Sequence, residues 1–586
     1  MAYDLLTTSG INSLVYSYTS NESKKRISPL ETRKTKYIKI SGIYSGLLSK
    51  VDALKSKMSI LKVTGTSSPF AVKKATSSNT TALTVSASST AQKGSFALRV
   101  NQLAKNDLVV SLDKNSVDFS SITTPGTYNF VIKGGDGTGG QFTSNVSVSL
   151  EASDFTNGNI SFSDLSSKIT KAINNDKAVV TSNSVTGNTL SSGSFTFDMN
   201  GTETTIDYSA GTYDEIIDSI ITQLDNVSGL AAEKIVDGAN VQLKLTVSDS
   251  SKYVSINGDT GTLLSELGIT VDKEKGASGI VSATSFSPSN GLTQISLTAK
   301  NSGAGFKIED ISDLSGGVLG EFGLNLGSNR TAFIQNESGL DTAGYVHNLS
   351  LLNSKITFNG LNIERNSNNI TDVVSGVTLN LKSVMTSDEN DVTVDVANDV
   401  SSVKTKIDEF ITSFNDVYKY LKTNTASNEG IRGTLLGDAS GSSLLSLLSS
   451  TAYSSISELG SGTINSLSEM GITFNNSTGL SITNSDQLNS ALENNIEEIE
   501  KTFNSDSGIA ANLYNKLLPY TGYNGYLTTR KNTIDDNIKT TNNSITTIQT
   551  KIEKDSAILR NRYIQLQGQL SALLSSTGSF GSDIFS

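Results

Sequence analysis

The sequence predicts a multidomain α+β protein, in which helices from both chain termini form a coiled-coil stalk and nested β-rich domains are inserted between them. Two observations predict this fold class. Long apolar heptad series lie near both ends of the chain, and short β-rich runs lie between them. The chain also has 586 residues, which is more than one domain usually contains. Because an apolar helix face needs a covering partner, pairing the two ends is the simplest arrangement.

The N-terminal heptad series has the 3.5-residue period of a coiled coil. Its apolar residues alternate in steps of three and four: Tyr37, Ile40, Tyr44, Leu47, Val51, Leu54, Met58 and Leu61. Gly42 and Gly46 lie inside this series, and each weakens a helix by about 1 kcal/mol relative to Ala. The series predicts one helix with an interrupted middle.

The C-terminal series is longer and continues the same period. Its members are Ile534, Ile538, Ile545, Ile548, Ile552, Leu559, Tyr563, Leu566, Leu570 and Leu573. Thr541 and Asp555 are polar residues in the seam, which lower stability and can fix register. A helix over 527–574 would be about 70 Å long. We predict that both series are seams, packed within the chain or against a second copy or partner, and the same helices can serve both.

Two further apolar series predict helices near the end of the β-rich region. The third is Val403, Ile407, Phe410, Phe414, Val417 and Leu421, and the fourth is Leu488, Leu492, Ile496, Ile499 and Phe503. The fourth also carries four glutamates, whereas residues 1–74 have a net charge of +9. We therefore expect the acidic helix to face the basic N-terminal one, with a solvated basic face as the alternative.

Residues 75–400 carry short β-rich runs separated by Gly and Asn-Gly turns. Within them, 241–269 and 294–324 repeat the order strand, strand, short helix and an apolar-Gly-apolar ending. The loop Gly134-Gly-Asp-Gly-Thr-Gly-Gly140 joins two expected strands, which favours a hairpin turn over a phosphate or Ca²⁺ loop. Residues 1–29 and 575–586 are polar, and we expect them to be unstructured until a partner orders them.

These patterns divide the chain into six segments. They are 1–74, an N-terminal leg and stalk helix; 75–150, the first part of a β-rich domain; 151–330, inserted α+β repeat modules; 331–400, the second part of the β-rich domain; 401–523, a helical stalk domain; and 524–586, a C-terminal coiled-coil leg.

Composition argues against several classes of function. Without Cys there is no thiolate nucleophile or zinc–thiolate site, and with only His347 there is no cluster of histidine ligands. We expect no catalytic residues, no metal and no cofactor, and a structural role for His347. The net charge of −11 argues against nucleic-acid binding. No apolar stretch of about 18 residues occurs, so we expect no membrane span, and the first ten residues lack the pattern of a secretory signal.

Several motifs fall in an order and at positions typical of one family. They are Gly10-Ile-Asn-Ser-Leu-Val15, Ala91-Gln-Lys-Gly-Ser-Phe-Ala-Leu-Arg-Val100, Phe358-Asn-Gly-Leu-Asn-Ile-Glu-Arg365, Gly376-Val-Thr-Leu-Asn-Leu-Lys382, Leu436-Gly-Asp438, Leu467-Ser-Glu-Met-Gly-Ile472 and Tyr523-Asn-Gly-Tyr-Leu527. With these, the chain resembles the flagellar hook-associated protein 2 family, the filament cap proteins. The run Ser17-Tyr18-Thr19-Ser20 is more polar than the family pattern.

The resemblance implies a ring of copies at the distal tip of the bacterial flagellum, with a pentamer favoured. The β-domains would form a plate and the helical termini would form legs that promote insertion of flagellin subunits. The implied partners are flagellin, the hook–filament junction proteins and an export chaperone on the C-terminal helix. The implied location is extracellular, reached by the flagellar type III route without a cleaved signal.

Two other functions stay open from the residues. A surface adhesin would bind glycans through its β-domains. The absence of Trp argues against this, and the 18 Tyr residues leave it possible. Another axial protein, such as a flagellin or a hook–filament junction protein, would carry different terminal motifs.

Overall fold

The computed structural model describes residues 7–187, 189–269, 271–334, 343–428, 431–460 and 462–582. The chain divides into two compact units. The helical unit contains the residues up to 74, residues 88–90 and the residues from 397 onwards, and the sheet unit contains 75–87 and 91–396. With most of the helical residues in one unit and most of the sheets in the other, the protein is of the α+β class that the sequence predicts.

The helices follow one another along the chain as α1 (Thr8–Arg26), α2 (Ser28–Leu61), α3 (Phe162–Asn175), α4 (Tyr213–Leu224), α5 (Leu263–Glu266), α6 (Ala277–Ile280), α7 (Val400–Thr425), α8 (Ala439–Ala452), α9 (Ser485–Asn494), α10 (Ile496–Asn504), α11 (Ile509–Leu517) and α12 (Tyr526–Ser582).

The strands are β1 (Lys73–Ser77), β2 (Leu83–Ala87), β3 (Gly94–Gln102), β4 (Asn106–Val110), β5 (Lys114–Asn115), β6 (Gly126–Gly135), β7 (Gln141–Leu150), β8 (Val179–Thr181), β9 (Thr189–Leu190), β10 (Gly193–Met199), β11 (Thr202–Tyr208), β12 (Gly211–Thr212), β13 (Leu230–Asp237), β14 (Asn240–Val247), β15 (Tyr253–Asn257), β16 (Val271–Lys275), β17 (Val281–Phe286), β18 (Leu292–Ser302), β19 (Ile308–Asp313), β20 (Gly344–Tyr345), β21 (Ser354–Phe358), β22 (Leu361–Arg365), β23 (Asn369–Ile370), β24 (Val377–Leu381), β25 (Val392–Asn398), β26 (Ser427–Asn428), β27 (Ile431–Arg432), β28 (Ile472–Asn475) and β29 (Gly479–Ile482).

Helix α1 shows that the expectation of an unstructured N-terminal segment is wrong for residues 8–26. Thr7 Oγ1 accepts a hydrogen bond from the Gly10 backbone N–H at 3.0 Å and caps the helix. Ile11 is buried, and α1 packs along α12. Because α1 is polar and its order depends on this neighbour, its own sequence pattern does not reveal it. The C-terminal segment is likewise helical as far as Ser582.

Helix α2 continues from α1 through Ile27, and Pro29 lies in its first turn. Proline is tolerated there because the first backbone N–H groups of a helix have no partner within the helix. The two helices therefore follow each other with a break of one residue.

The third and fourth apolar series are buried throughout, as their spacing predicts. The third lies on α7, which packs against α2. The fourth is divided between α9 and α10, because Asn495 separates the two helices. Phe410 and Phe503 bring the two series into edge-to-face contact, with ring centroids 6.1 Å apart. Together they form the main core of the helical unit.

The expectation that the acidic helix faces the basic N-terminal one is wrong. Among the described residues, the ion pairs of α2 with another helix are with α7, where Glu409 Oε2 lies 3.0 Å from Lys57 Nζ. This lysine lowers the pKa of Glu409. Helix α10 instead lies near the chain that follows α2, where Asn504 Nδ2 donates to the Val63 carbonyl at 3.2 Å. Apolar packing places α10, because surface ion pairs contribute too little to select its position.

The sheet unit contains several separate sheets. A five-stranded sheet has the order β1-β25-β3-β21-β22, and a seven-stranded sheet has the order β11-β10-β15-β16-β7-β6-β19. A third has the order β17-β18-β4-β20, and β13-β14-β8 and β2-β24-β23 are three-stranded. Three clusters of buried apolar residues lie against these sheets, with α3 packed in one and α4 in another.

The glycine-rich loop at 134–140 is a hairpin turn, as its position between two expected strands predicts. Strands β6 and β7 pair in antiparallel register from Gly126↔Leu150 to Gly135↔Gln141. Inside the loop, Asp136 Oδ1 accepts from the backbone N–H of Thr138 at 2.8 Å. The other carboxylate oxygen pairs with Lys273. Both oxygens of the Asp136 carboxylate are therefore engaged, one by the loop backbone and one by Lys273.

The apolar-Gly-apolar endings of the repeat share one backbone geometry. The Ile269 N–H donates to the Leu264 carbonyl at 2.8 Å, and the Leu324 N–H donates to the Leu319 carbonyl at 2.9 Å. The intervening Gly268 and Gly323 have positive φ of 60° and 67°, which a helix ending of the Schellman type requires.

The same helix ending occurs a third time, in the helical unit. The Ile472 N–H donates to the Leu467 carbonyl at 3.0 Å, and Gly471 has a φ of 79°. The pattern Leu-x-Glu-apolar-Gly-apolar therefore specifies a local ending in more than one structural context. Part of the sequence similarity between 241–269 and 294–324 therefore comes from this helix-ending motif.

Candidate functional site

Helix α12 pairs in antiparallel register with α2 and α1. Ser41 Oγ donates to Asp535 Oδ1 at 2.5 Å, and Lys34 Nζ donates to Asn542 Oδ1 at 2.5 Å. Lys34 lies seven residues before Ser41, and its partner Asn542 lies seven residues after Asp535. The two helices therefore run in opposite directions. Farther along, the hydroxyls of Thr19 in α1 and Ser556 lie 2.9 Å apart. The two chain ends predicted to meet are therefore in contact along their length.

Most of the N-terminal seam is buried inside the helical unit. The buried members are Tyr44, Leu47, Val51, Leu54, Met58 and Leu61. They lie in one core with the apolar residues of α7 and α8. Tyr37 and Ile40 are half-buried, toward the part of α2 that pairs with α12. This half of the predicted seam packs within the chain.

The C-terminal seam becomes more exposed along α12. Ile534 and Ile552 are buried. The half-buried members are Ile538, Ile545, Ile548, Leu559, Tyr563 and Leu570. Leu566 is 38% exposed and Leu573 is 63% exposed. Ile558 and Ile564, which the heptad pattern leaves out of the seam, are also exposed. The distal part of α12 therefore presents apolar side chains to its surroundings.

The two polar seam residues behave differently. Thr541 is buried, and along the seam it falls between Ile534 and Ile552, which are also buried. It is therefore a polar residue inside the apolar part of the seam. Asp555 is half-buried and borders a cavity of about 310 Å³ together with Tyr18, Leu559 and Arg562. This cavity lies along the groove between α1 and α12, beside the contact between Thr19 and Ser556.

A polar network that the heptad pattern does not reveal joins three helices. The Tyr44 hydroxyl of α2 donates to Asp438 Oδ2 at 2.6 Å, and Arg530 Nε of α12 lies 3.6 Å from the same oxygen. Asp438 Oδ1 also accepts from the Gly441 N–H and caps α8. Burial, together with the hydrogen bond to Asp438, raises the pKa of Tyr44. The sequence could have indicated Asp438 as a helix cap, because it directly precedes the small residues at the start of α8.

Gly46 lies at a close approach between α2 and α7. A Cβ at this position would lie 2.5 Å from the hydroxyl oxygen of Tyr420, which donates to the Ile43 carbonyl at 3.1 Å. Nothing lies within 4 Å of a Cβ built at Gly42. The two glycines of the series therefore differ, because only Gly46 is required by its neighbour.

An exposed group of tyrosines lies just before α12 and at its start. Tyr523 is 91% exposed, and the rings of Tyr520 and Tyr526 pack edge to face with centroids 5.6 Å apart. Large aromatic side chains this exposed are typical of contact surfaces between proteins. Their exposure was not part of the sequence prediction, since the heptad pattern begins after them.

Metal-binding clusters and membrane-spanning helices are both absent from the part of the chain that the structure describes. No three or more His, Cys, Asp or Glu side chains there are arranged to hold a metal ion. No helix in the same residues is long and apolar enough to cross a membrane. The His347 carbonyl accepts from Arg330 Nη2 at 2.8 Å, and burial lowers the pKa of the His347 ring.

Comparison with known proteins matches both ends of the chain. The family model for the N-terminus of flagellar hook-associated protein 2 matches residues 9–107, and the model for its C-terminus matches residues 352–574. Together they cover more than half of the chain. The matched residues include α1, α2, α7–α11 and most of α12.

Individual relatives agree with the family models. An A-type flagellar hook-associated protein 2 of Pseudomonas aeruginosa is 26% identical over 60% of this chain and 74% of its own. A B-type protein of the same species is 27% identical over 62% of this chain and 75% of its own. Among solved structures, the D1-D2-D3 domains of the flagellar cap protein FliD from Escherichia coli are 18% identical, with a TM-score of 0.45, over 84% of this chain and 99% of that one.

Proposed function

Because the chain belongs to the flagellar hook-associated protein 2 family, we propose that it caps the distal tip of the bacterial flagellar filament and promotes the insertion and polymerisation of exported flagellin subunits. The observation that carries this proposal is the position of the two family matches. They fall on the chain ends whose helices pair in antiparallel register. The part of the chain most like the family is thus the part that would hold the filament end.

In this proposal the paired termini form a coiled-coil stalk, and the β-rich domains are nested between them. The N-terminal leg and stalk helix would be 1–74, and the C-terminal leg 524–586. The β-rich domain would consist of 75–150 and 331–400, with the repeat modules of 151–330 inserted, and 401–523 would complete the stalk. The division into a helical and a sheet unit supports this arrangement.

The exposed end of α12 is the surface we assign to other proteins. Leu566 and Leu573 are exposed there, together with Ile558 and Ile564. Before export, an export chaperone would cover this end of the helix. After export by the flagellar type III route, the same side chains would contact flagellin or the hook–filament junction proteins, and copies of the chain would assemble as a ring, with a pentamer favoured.

A cap must stay attached while each new subunit enters beneath it, which requires contacts that exchange. The legs suit this because their seam is interrupted by polar residues and becomes exposed toward the end of α12. Thr541 is buried in the seam, a cavity borders Asp555, and a Cβ built at Gly568 would have nothing within 4 Å. Contacts of this kind open locally at low free-energy cost.

Removal of the last 30 residues tests the proposal. In a strain that lacks its own cap gene, the full chain should restore filaments and motility, whereas the chain ending at residue 556 should release flagellin monomers into the medium. The sheet unit of the truncated protein should remain folded, as judged by circular dichroism, because its cores contain no residue of α12. Full-length filaments on the truncated protein would refute the assignment of the leg.

A further inference from the structure

Two of the apolar cores in the sheet unit share no residue, and one is formed by an uninterrupted stretch of chain. The buried residues of that core come from 178–269, whereas those of the other come from 109–173 and 277–345. We define the inner module as residues 177–275 and the outer module as the part that contains the second core. The inner module is therefore an insertion, and the chain enters and leaves it once each.

The two crossings between the modules lie side by side. They are the steps from Asp176 to Lys177, whose side chain is exposed, and from Lys275 to Gly276. A Cβ at Gly276 would lie 2.6 Å from the Asp176 carbonyl oxygen and 2.7 Å from the Lys177 Cα. Asp176 Oδ2 also accepts from the backbone N–H of Ala277 at 2.7 Å. We call these adjacent crossings the pivot, because a hinge needs only a few residues at the ends of elements to change conformation.

Beyond the pivot, one strand pair connects the modules. Strand β16 of the inner module pairs in parallel with β7 of the outer module through the single residue pair Glu274↔Thr143. The rings of Phe142 and Tyr253 also meet across this boundary, with centroids 5.5 Å apart. The seven-stranded sheet thus continues from one module to the other without a full ladder of backbone hydrogen bonds. We call this boundary between β16 and β7 the joint.

Glu274 lies in the joint as a carboxylate that no cation neutralises among the described residues. It is 9% exposed, and its Oε1 accepts from the backbone N–H of Asn145 in β7 at 3.3 Å. The two lysines on its own strand are engaged elsewhere. Lys273 pairs with Asp136 in the turn between β6 and β7, and Lys275 Nζ lies 4.3 Å from the centroid of an aromatic ring of β7.

The charge that acts most on Glu274 has the same sign as its own. Burial raises the pKa of Glu274 to about 7, and the charge of Asp176 adds to the rise. Asp176 accepts from Ser144 Oγ at 2.5 Å, and burial raises its pKa as well. In the chain before β15, Asp249 acts on Lys275. When both Glu274 and Asp176 are ionised they are poorly hydrated and repel each other, so the closed joint favours their neutral forms.

We propose that the inner module turns about the pivot, and that protonation of Glu274 and Asp176 decides whether the joint is closed. When the two carboxyl groups ionise, β16 separates from β7 and water reaches them. Both cores stay folded, because neither contains a residue of the other. The inference concerns the sheet unit alone and does not depend on the cap function.

The sign of the pH dependence follows from the proton on Glu274. A hydrated carboxyl in the open joint releases it near pH 4.5, and the closed joint holds it until about pH 7. Closure is therefore favoured fully below about pH 4.5 and loses this contribution as the pH rises to about 7. The ratio of closed to open molecules should fall by up to about 300-fold over this window.

The test measures a distance across the joint in the full chain by dipolar electron paramagnetic resonance. The chain has no Cys, so two introduced cysteines carry the nitroxide labels. We choose Gln141→Cys at the start of β7 and Asn257→Cys at the end of β15, which are both exposed and lie on the side of the joint away from the pivot. Since β16 alone separates these strands in the closed sheet, one short distance is expected at pH 5. A second, longer distance should appear at pH 8.

Variants of the two carboxylates connect the opening to its cause. Glu274→Gln keeps a neutral group and should retain the short distance at both pH values. Asp176→Asn should reduce the change with pH, because Glu274 then ionises without a like charge beside it. Glu364→Gln, at an exposed position, should behave as the wild type does. Circular dichroism checks that each variant is folded.

A second pair of labels, at Gln141 and Ser149, lies within β7 and should keep one distance at every pH. A wild type that keeps the short distance at pH 8 would show that the joint is rigid, and the proposal would be wrong. Equal widening in Glu274→Gln and Asp176→Asn would show that the carboxylates do not control the joint. Widening between the two labels of β7 would show that the outer module unfolds rather than that the inner one turns. None of these readings depends on whether the chain caps filaments.

Discussion

Glu274 is a buried carboxylate at the join between two cores of the sheet unit. It lies on β16, which pairs in parallel with β7 through the single residue pair Glu274↔Thr143. Its Oε1 accepts from the backbone N–H of Asn145 at 3.3 Å. Burial, partly offset by the Asn145 hydrogen bonds, raises the pKa of Glu274 to about 7, and the negative charge of Asp176 adds to the rise. The carboxyl group is therefore largely protonated in the folded protein below neutrality.

This pKa predicts that the sheet unit loses stability as the pH rises. The unfolded chain releases the Glu274 proton near pH 4.5, and the folded chain holds it until about pH 7. The stabilisation is thus complete below about pH 4.5 and disappears by about pH 7. The free energy of unfolding should fall by about 2–3 kcal/mol over this window from Glu274 alone.

Urea unfolding followed by circular dichroism from pH 4.5 to pH 8 measures this fall. The Glu274→Gln variant keeps a neutral polar group, so its stability should depend less on pH than that of the wild type. Asp176, whose pKa burial also raises, leaves a residual slope in this variant. Glu364→Gln, at an exposed position, should retain the wild-type pH profile. A Glu274→Gln profile parallel to that of the wild type would contradict the assignment.

At the scale of a single helix, the two glycines of α2 should respond in opposite ways to the same substitution. Gly42→Ala meets no neighbour and should stabilise the helical unit by up to about 1 kcal/mol. Gly46→Ala gains the same helix propensity but displaces Tyr420 from its hydrogen bond to Ile43, which costs about 1 kcal/mol, and disturbs the packing of α7. Thermal unfolding should therefore place Gly46→Ala below Gly42→Ala. Equal stabilisation by both would show that Tyr420 moves aside without cost.

The two ends of the seam on α12 should separate stability from assembly. Ile552→Ala creates a cavity at a buried position and should lower the free energy of unfolding by about 2–4 kcal/mol. Leu573→Ala lies at an exposed position and should change it by less than about 0.5 kcal/mol. Leu573→Ala should instead weaken self-association or capping. Calorimetry together with sedimentation tests this, and a large loss of stability in Leu573→Ala would mean that the distal seam packs within the chain.

The elements differ in how well their own sequence specifies them. The 3.5-residue spacing of α2 predicts both the helix and its buried face, because apolar burial decides which side of a helix turns inward. Helix α1 was not predicted because it has no apolar stripe and its order depends on packing against α12. The position of the acidic α10 was predicted wrongly because charge alone does not choose between distant surfaces. The Tyr44–Asp438 network and the need for Gly46 depend on residues far apart in sequence, so no local pattern contains them.

For the whole molecule, the division into two units predicts that the sheet unit folds on its own. Its cores draw their buried residues from within 75–396. The two ends of the unit are also held together, since the Ser78 N–H donates to the Thr393 carbonyl at 3.0 Å. Ends that meet in one sheet allow an inserted unit to fold without the chain on either side of it.

A fragment of residues 75–396 should accordingly be monomeric, rich in strand and cooperative in urea unfolding. It should also show the same pH-dependent loss of stability as the full chain, since Glu274, Asp176 and Asn145 all lie within it. The complementary protein, with 1–74 joined to 397–586 by a short flexible linker, should keep α2 packed on α7 and α12, because those helices share one core. A fragment that aggregates or unfolds without a transition would show instead that the sheet unit needs the helical unit to fold, and that the two are one cooperative structure.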